Sequence, residues 1–164
     1  MTTLSALSLA GGILAIGPVP GATRDYDGDL DHILHWEPGL VVSLTSNGEL
    51  RRARAATLGE DLQAAGIVWV HLPIEDYGTP DDHFMDVWPD LVAAVSQVLS
   101  GGGRVLLHCQ GGCGRSGAVA LRLMIALGEE PDTALERLRR VRPCAIETRA
   151  QMRWALAEDE EGKG

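Results

Sequence analysis

An α/β fold, with a central mostly parallel sheet of about five strands flanked by helices, is what this sequence predicts. Two observations carry that expectation. Short apolar runs of strand length alternate with longer stretches of helical periodicity, and the links between them are short and marked by Gly and Pro. No internal repeat or interdomain linker interrupts the 164 residues, which is a single-domain length. The expected organisation is one domain over 1–157 and a charged, flexible tail over 158–164 that lacks apolar anchors.

Each element has its own signal. Leu4 to Leu9 alternates loosely, Gly11-Gly12 turns the chain, and Ile13 to Ile16 returns as a second strand. Pro18, Pro20 and Gly21 form a loop, and a helix over Tyr26 to Trp36 ends at Glu37-Pro38-Gly39. Leu40-Val41-Val42-Ser43-Leu44 is the continuous apolar run of a strand buried on both faces. Asn47-Gly48 turns it into one polar helical segment through Ala65, closed by Gly66. Ile67 to Leu72 is the next strand. A loop from Ile74 to Asp81 follows, and Asp82 or a near neighbour caps a helix running to about Ser100. Arg104 to His108 is another buried strand, and helices follow at about Arg115 to Leu127, Pro131 to Val141 and Glu147 to Ala157.

Composition narrows the partners. The net charge of −9 argues against nucleic acid and against an anionic membrane surface, since both need a cationic face. Leu4 to Ile16 is apolar, but no Lys or Arg occurs before Arg24, so the stretch lacks the start of a signal peptide and is too short to span a bilayer. A cytoplasmic location is the expectation. Cys109, Cys113 and Cys144 form an odd set without a disulfide-framework pattern, which favours a reducing compartment. No Cys/His spacing suits zinc, so no metal site and no cofactor is expected.

The chemistry concentrates between Arg104 and Gly117. A buried strand ends at His108-Cys109, the glycine-rich stretch Gln110-Gly111-Gly112-Cys113-Gly114 follows, and Arg115-Ser116-Gly117 opens an apolar helix. Such a loop can curl its backbone N–H groups inward and form an anion nest at a helix N-terminus. A cysteine at its start meets those N–H groups, the helix dipole and a guanidinium, which together stabilise a thiolate. Arg115 offers a planar fork for two phosphate oxygens. Ser116 is placed to hydrogen-bond the sulfur.

His108-Cys109, five residues, then Arg115-Ser116 resembles the signature of the protein tyrosine phosphatase superfamily. The resemblance implies a cysteine-dependent phosphatase fold, Cys109 as nucleophile, Arg115 as phosphate clamp, and phosphate, sulfate or vanadate as ligands of the loop Gln110 to Gly114. It also implies an upstream aspartic acid that protonates the leaving oxygen. Two candidates compete. Trp88-Pro89-Asp90 spells the acid-loop letters of the larger tyrosine-specific members, but Asp90 lies only 19 residues before Cys109 and inside an apolar-periodic helix. Asp76 lies 33 residues before Cys109, just past a buried strand. Its segment, Pro73-Ile74-Glu75-Asp76-Tyr77-Gly78-Thr79-Pro80-Asp81, resembles the acid loop of compact dual-specificity phosphatases, in the branch related to the cyclin-dependent-kinase-associated phosphatase. Arg142-Pro143-Cys144-Ala145-Ile146-Glu147-Thr148-Arg149-Ala150-Gln151 resembles a further stretch of that branch, with Cys144 where the pattern has Gly and Glu147 where a water-positioning Gln stands in tyrosine-specific members.

The function the resemblance implies is that of a protein tyrosine/dual-specificity phosphatase, hydrolysing a phosphomonoester through a cysteinyl-phosphate, with a phosphorylated protein or a small phosphate ester as substrate. A phosphoinositide or nucleotide phosphatase, a non-catalytic phospho-binding module and a sulfurtransferase remain the rival readings. Cys113 reads as a variable loop position, with a redox partnership to Cys109 as its alternative. Arg137, Arg139, Arg140 and Arg142 read as a solvated helix face, and His71 and His83 as structural or exposed.

Overall fold

The structure is a computed structural model that describes residues 2–157; the expected tail at 158–164 lies outside the described residues. Five strands form one sheet in the order β1-β2-β5-β3-β4, with β1 (Ser5–Leu9), β2 (Gly12–Pro18), β3 (Leu40–Ser43), β4 (Val68–His71) and β5 (Arg104–Cys109). β1 and β2 form an antiparallel hairpin, and every other pairing is parallel. The hairpin turns at Ala10 and Gly11, both with positive φ, which matches the strand twist. The mostly parallel α/β sheet therefore stands as the sequence predicts.

Helices cover both faces. Helices α1 (Tyr26–Trp36), α2 (Asn47–Arg52) and α3 (Leu58–Ala64) lie on one side. There Ile33, Leu50, Leu58 and Leu62 pack with Val41 and Leu106. Helices α4 (Asp82–Ser100), α5 (Gly114–Ala126), α6 (Pro131–Val141) and α7 (Arg149–Ala155) lie on the other. Phe84, Val95, Leu121, Leu138 and Trp154 join Val42, Val105 and Leu107 in the larger core on that side. Alternation along β5 sends Leu106 to the first core and Leu107 and Cys109 to the second.

Several boundaries differ from the sequence reading, and β2 runs on through Pro18, which that reading places in a loop. The helical segment after Asn47 is broken in two, because Arg54 takes φ +59° and ends the helical hydrogen bonding before Leu58. The last helix starts at Arg149 rather than Glu147. Thr148 accepts from Gln151 N, and the Gln151 side chain caps in return. Among the described residues no helix is long and apolar enough to cross a membrane.

The sheet gathers the carboxyl ends of β3, β4 and β5, together with the end of β2, along one edge: Ser43 lies opposite both His71 and His108, and Pro18 opposite Cys109. Ligand sites of parallel sheets form outside such an edge. The loops that leave this edge carry Asp76 and the residues after Cys109.

Candidate active site

β5 delivers Cys109 to that edge, and Gln110 to Cys113 turn the chain into α5. Four carbonyls of this turn face outward. Gln110 O accepts from Val19 N at 3.2 Å, and Cys113 O accepts from Gly117 N and Ile146 N, each at 3.0 Å. The Arg142 guanidinium donates to Gly111 O at 2.9 Å and to Gly112 O at 3.1 Å. A planar trans peptide with its carbonyl turned outward sends the following N–H inward. The N–H groups of Gly111 to Gly114 are thus directed away from Arg142, at the start of α5, where the helix dipole favours an anion. Gly112 has φ +74°, and a Cβ there would lie 2.5 Å from the Gly17 carbonyl carbon, so the turn requires glycine.

Cys109 is 2% exposed, and its Sγ lies 3.2 Å from Ser116 Oγ in the first turn of α5. Arg115 is equally buried and still satisfied. Its Nη1 donates to Glu49 Oε1 at 2.8 Å and Ile74 O at 3.0 Å, while Nη2 donates to Glu49 Oε2 at 2.8 Å. Asp76 Oδ1 lies 3.2 Å from the same Nη2. Burial alone would lower the guanidinium. The Glu49 hydrogen bond and the charges of Cys109, Glu49 and Asp76 outweigh it, and the group is raised. Glu49 is held below the ordinary carboxylate value, first by its Arg115 hydrogen bond, against burial. The Arg115 Nε–H has no acceptor among the described residues.

His108 stands behind the loop. Its Nε2 is 2.5 Å from Ser43 Oγ, and its Nδ1 is 3.3 Å from Cys109 O. Trp69 Nε1 can only donate, and it donates to Ser43 Oγ at 2.8 Å. The network therefore assigns the neutral tautomer: Ser43 donates to Nε2, and Nδ1–H donates to the Cys109 carbonyl. Burial holds this imidazole neutral, pushing it down to about 4. Its place is that of a support for the loop's first peptide. His71 is similarly structural, with Nε2 on Thr45 O at 2.6 Å and its ring stacked on Trp69.

The two acid candidates separate in space. Asp76 leaves the β4 edge on a loop, is half exposed (51%), accepts from Tyr77 N at 3.0 Å and reaches Arg115. Asp90 lies within α4, beside Val70, Val87 and Leu91, and makes no ion pair with Arg115. Trp88 packs against Phe84 and Trp154, so the Trp88-Pro89 letters belong to helix packing. Gln151 ties the acid loop to α7: its Oε1 accepts from Glu147 N and Thr148 N, and its Nε2 donates to Gly78 O at 3.4 Å.

Two sequence readings need correction. Cys113 and Cys144 are not free thiols but a disulfide, joining the loop to the segment before α7. Cys109 is the free cysteine. The expectation of a reducing compartment rested on three unpaired cysteines, and this bond removes that support. The late arginines are a solvated face only in part: Arg139, which donates to Ala145 O and Ile146 O, and Arg140, paired with Glu136, are exposed, whereas Arg137 pairs with Glu129 and Ser8 O and Arg142 braces the loop. Glu49 and Arg142 were missed as site residues. The Ser46-x-x-Glu49 capping box is legible as a helix start, but nothing local says that its carboxylate also holds Arg115.

Comparison with known proteins agrees with this geometry. The family described as "Polymorphic toxin system, DSP-PTPase phosphatase" matches residues 20–129. The chain is 37% identical over 104 residues to cyclin-dependent kinase inhibitor 3 of Rattus norvegicus, covering 62% of this chain and 48% of that protein. The chain thus spans about half the length of the curated relatives it matches. Among solved structures, kinase associated phosphatase with its catalytic-site cysteine replaced by serine superposes with a TM-score of 0.84 at 26% identity, covering 98% of this chain and 95% of that one. Tk-PTP in its active form gives 0.72 at 30% identity, covering 96% and 97%.

Proposed function

The chain belongs to the polymorphic toxin system DSP-PTPase phosphatase family, and from that premise we propose that it hydrolyses phosphomonoesters through a phosphocysteine formed on Cys109. One observation carries the reading: a buried thiol, the Ser116 hydroxyl 3.2 Å away, and a buried guanidinium reached by the Asp76 carboxylate converge on one anion loop.

In the first step the Cys109 thiolate attacks phosphorus. The Arg115 Nε–H and the inward N–H groups hold the non-bridging oxygens, which spread the transition-state charge over preorganised donors. The dianion takes the guanidinium from Asp76, and protonated Asp76 donates to the leaving ester oxygen. In the second step water attacks the phosphocysteine while Asp76 takes its proton. Ser116 donates to the departing thiolate. Glu49 acts through Arg115 as a positioning residue, fixing the plane of the fork.

A phosphorylated protein is the proposed substrate class, in line with the kinase associated phosphatase that the fold resembles. The loop supports this over a phosphoinositide, because Gln110 and the disulfide-bonded Cys113 stand where lysines would meet a polyanionic headgroup. Asp76→Ala is expected to lower kcat on an aryl phosphate by about 10²- to 10⁴-fold, with Asp90→Ala near wild type. The reverse order would assign the acid to Asp90.

A further inference from the structure

The bond between Cys113 and Cys144 joins the last residue before α5 to the connector between α6 and α7. Cys144 is exposed there, and Cys113 is half-buried. The connector touches the phosphate loop at three places. The Arg142 guanidinium donates to Gly111 O at 2.9 Å and to Gly112 O at 3.1 Å, Cys144 holds Cys113 through sulfur, and Ile146 N donates to Cys113 O at 3.0 Å. These contacts keep the loop carbonyls outward, which is what turns the following N–H groups toward an anion.

The two sulfurs are not equivalent. Cys113 Sγ lies 3.7 Å from Arg142 Nη2, and Cys113 caps the N-terminus of the 13-residue helix α5. A thiolate released at Cys113 therefore meets a guanidinium and the positive end of a helix dipole. In thiol–disulfide exchange the accessible sulfur is attacked, and the better-stabilised thiolate leaves faster. Both criteria give the same order: attack at Cys144, departure of Cys113.

We propose that Cys113–Cys144 is a redox-active site that a dithiol reductant opens, and that opening it weakens anion binding by the phosphate loop. A thiolate of the reductant attacks Cys144 Sγ, the S–S bond breaks, and Cys113 leaves as a thiolate. The reductant's second thiolate then attacks its own sulfur in the mixed disulfide, closing a cyclic disulfide and releasing Cys144. Two electrons pass from the dithiol to the protein bond. Of the dithiol's two protons, one ends on Cys144 and the other in solvent. The new thiolate is a stronger acceptor than a neutral carbonyl, so it draws Arg142 from Gly111 O and Gly112 O. Both peptides are then free to turn, and the inward N–H groups lose their fixed direction. The sign is opposite to that of oxidation at Cys109, the free and buried thiol that the reaction needs reduced. The proposal rests on the phosphatase reading above and adds a control to the same loop.

Binding of inorganic phosphate is measured by calorimetry on the Cys109→Ser protein, whose one remaining redox site is this bond, before and after dithiothreitol. Wild-type kcat/KM for an aryl phosphate is followed beside it. Both forms are read at a temperature where near-ultraviolet circular dichroism shows native packing. Opening the bond is expected to weaken phosphate binding about tenfold and to lower kcat/KM by a similar factor. Cys109→Ser with Cys144→Ser is expected to bind like the reduced protein and to ignore the reductant. A brief pulse of glutathione, mapped by mass spectrometry, is expected to leave its adduct on Cys144. Equal phosphate affinity with the bond closed and open, including no binding in either form, overturns the proposal. So does a reductant effect that persists after Cys144→Ser, and an adduct on Cys113 overturns the order of attack. If the oxidised wild type hydrolyses no aryl phosphate, the phosphatase reading fails, and the binding comparison still decides the redox site.

Discussion

Replacing Glu49 by Gln tests the ion pair that orients the phosphate clamp. Glu49 and Arg115 are 6% and 2% exposed and share two hydrogen bonds of 2.8 Å. Glutamine keeps the shape but offers one acceptor and one donor to two guanidinium donors, so one bond becomes a donor–donor contact and the charge is lost. Breaking a buried pair outright costs about 3–5 kcal/mol, and the surviving bond should hold the loss to about 2–3 kcal/mol. For a domain of this size that lowers Tm by about 4–12 °C. The loosened guanidinium no longer meets the phosphoryl oxygens in one geometry, so kcat/KM for an aryl phosphate should fall about 10²-fold. The pH dependence separates this role from a packing defect. Glu49 is lowered in the folded state, so its contribution is complete above the unfolded carboxylate value and is lost as pH falls through the folded one. The stability gap between wild type and variant should therefore close in acid. Thermal unfolding across pH and steady-state kinetics read both effects. A variant within about 1 °C of wild type and of equal kcat/KM would refute the argument.

His108 and the disulfide give two further expectations. His108 sits at about 4 when folded and near its ordinary 6.5 when unfolded, so the unfolded chain takes up the proton first as pH falls. Acidification through that window should cost about 3 kcal/mol, levelling off below it, and His108→Gln should remove this part of the urea-unfolding pH profile; an unchanged profile would mean that the imidazole is not buried neutral. The Cys113–Cys144 bond closes a loop with a sequence separation of 31. By loop entropy Cys144→Ser should cost about 4 kcal/mol, and reductant should lower the wild-type Tm without moving that of the variant. Equal stability of oxidised and reduced protein would contradict the linkage.

What the sequence makes legible is whatever a local pattern determines. The buried runs of β3 and β5, the helix at Tyr26–Trp36 and the His108-to-Ser116 stretch all announce themselves in neighbouring letters. The placement of Asp90 inside a helix and of Asp76 in a loop is also legible, because a helix and a strand must fit between Asp90 and Cys109. The break after Arg52 was not, since an arginine in a left-handed conformation carries no letter signal. Glu49 on Arg115, Arg142 on the loop carbonyls and Cys113 on Cys144 are pairings across 66, 30 or more and 31 residues. Only the assembled sheet edge brings them together. The thiols were misread for the same reason: an odd cysteine count says nothing about which two meet.

The central claim, that Cys109 carries the phosphoryl group, is tested most directly by acid-quenching the enzyme during turnover of an aryl phosphate and mapping the modified peptide by mass spectrometry. The account predicts one phosphoryl group on Cys109, formed in a burst of phenol release and accumulating further in Asp76→Ala when a substrate with a good leaving group is used. Turnover with no phosphorylated Cys109, or with the label on another residue, would contradict it.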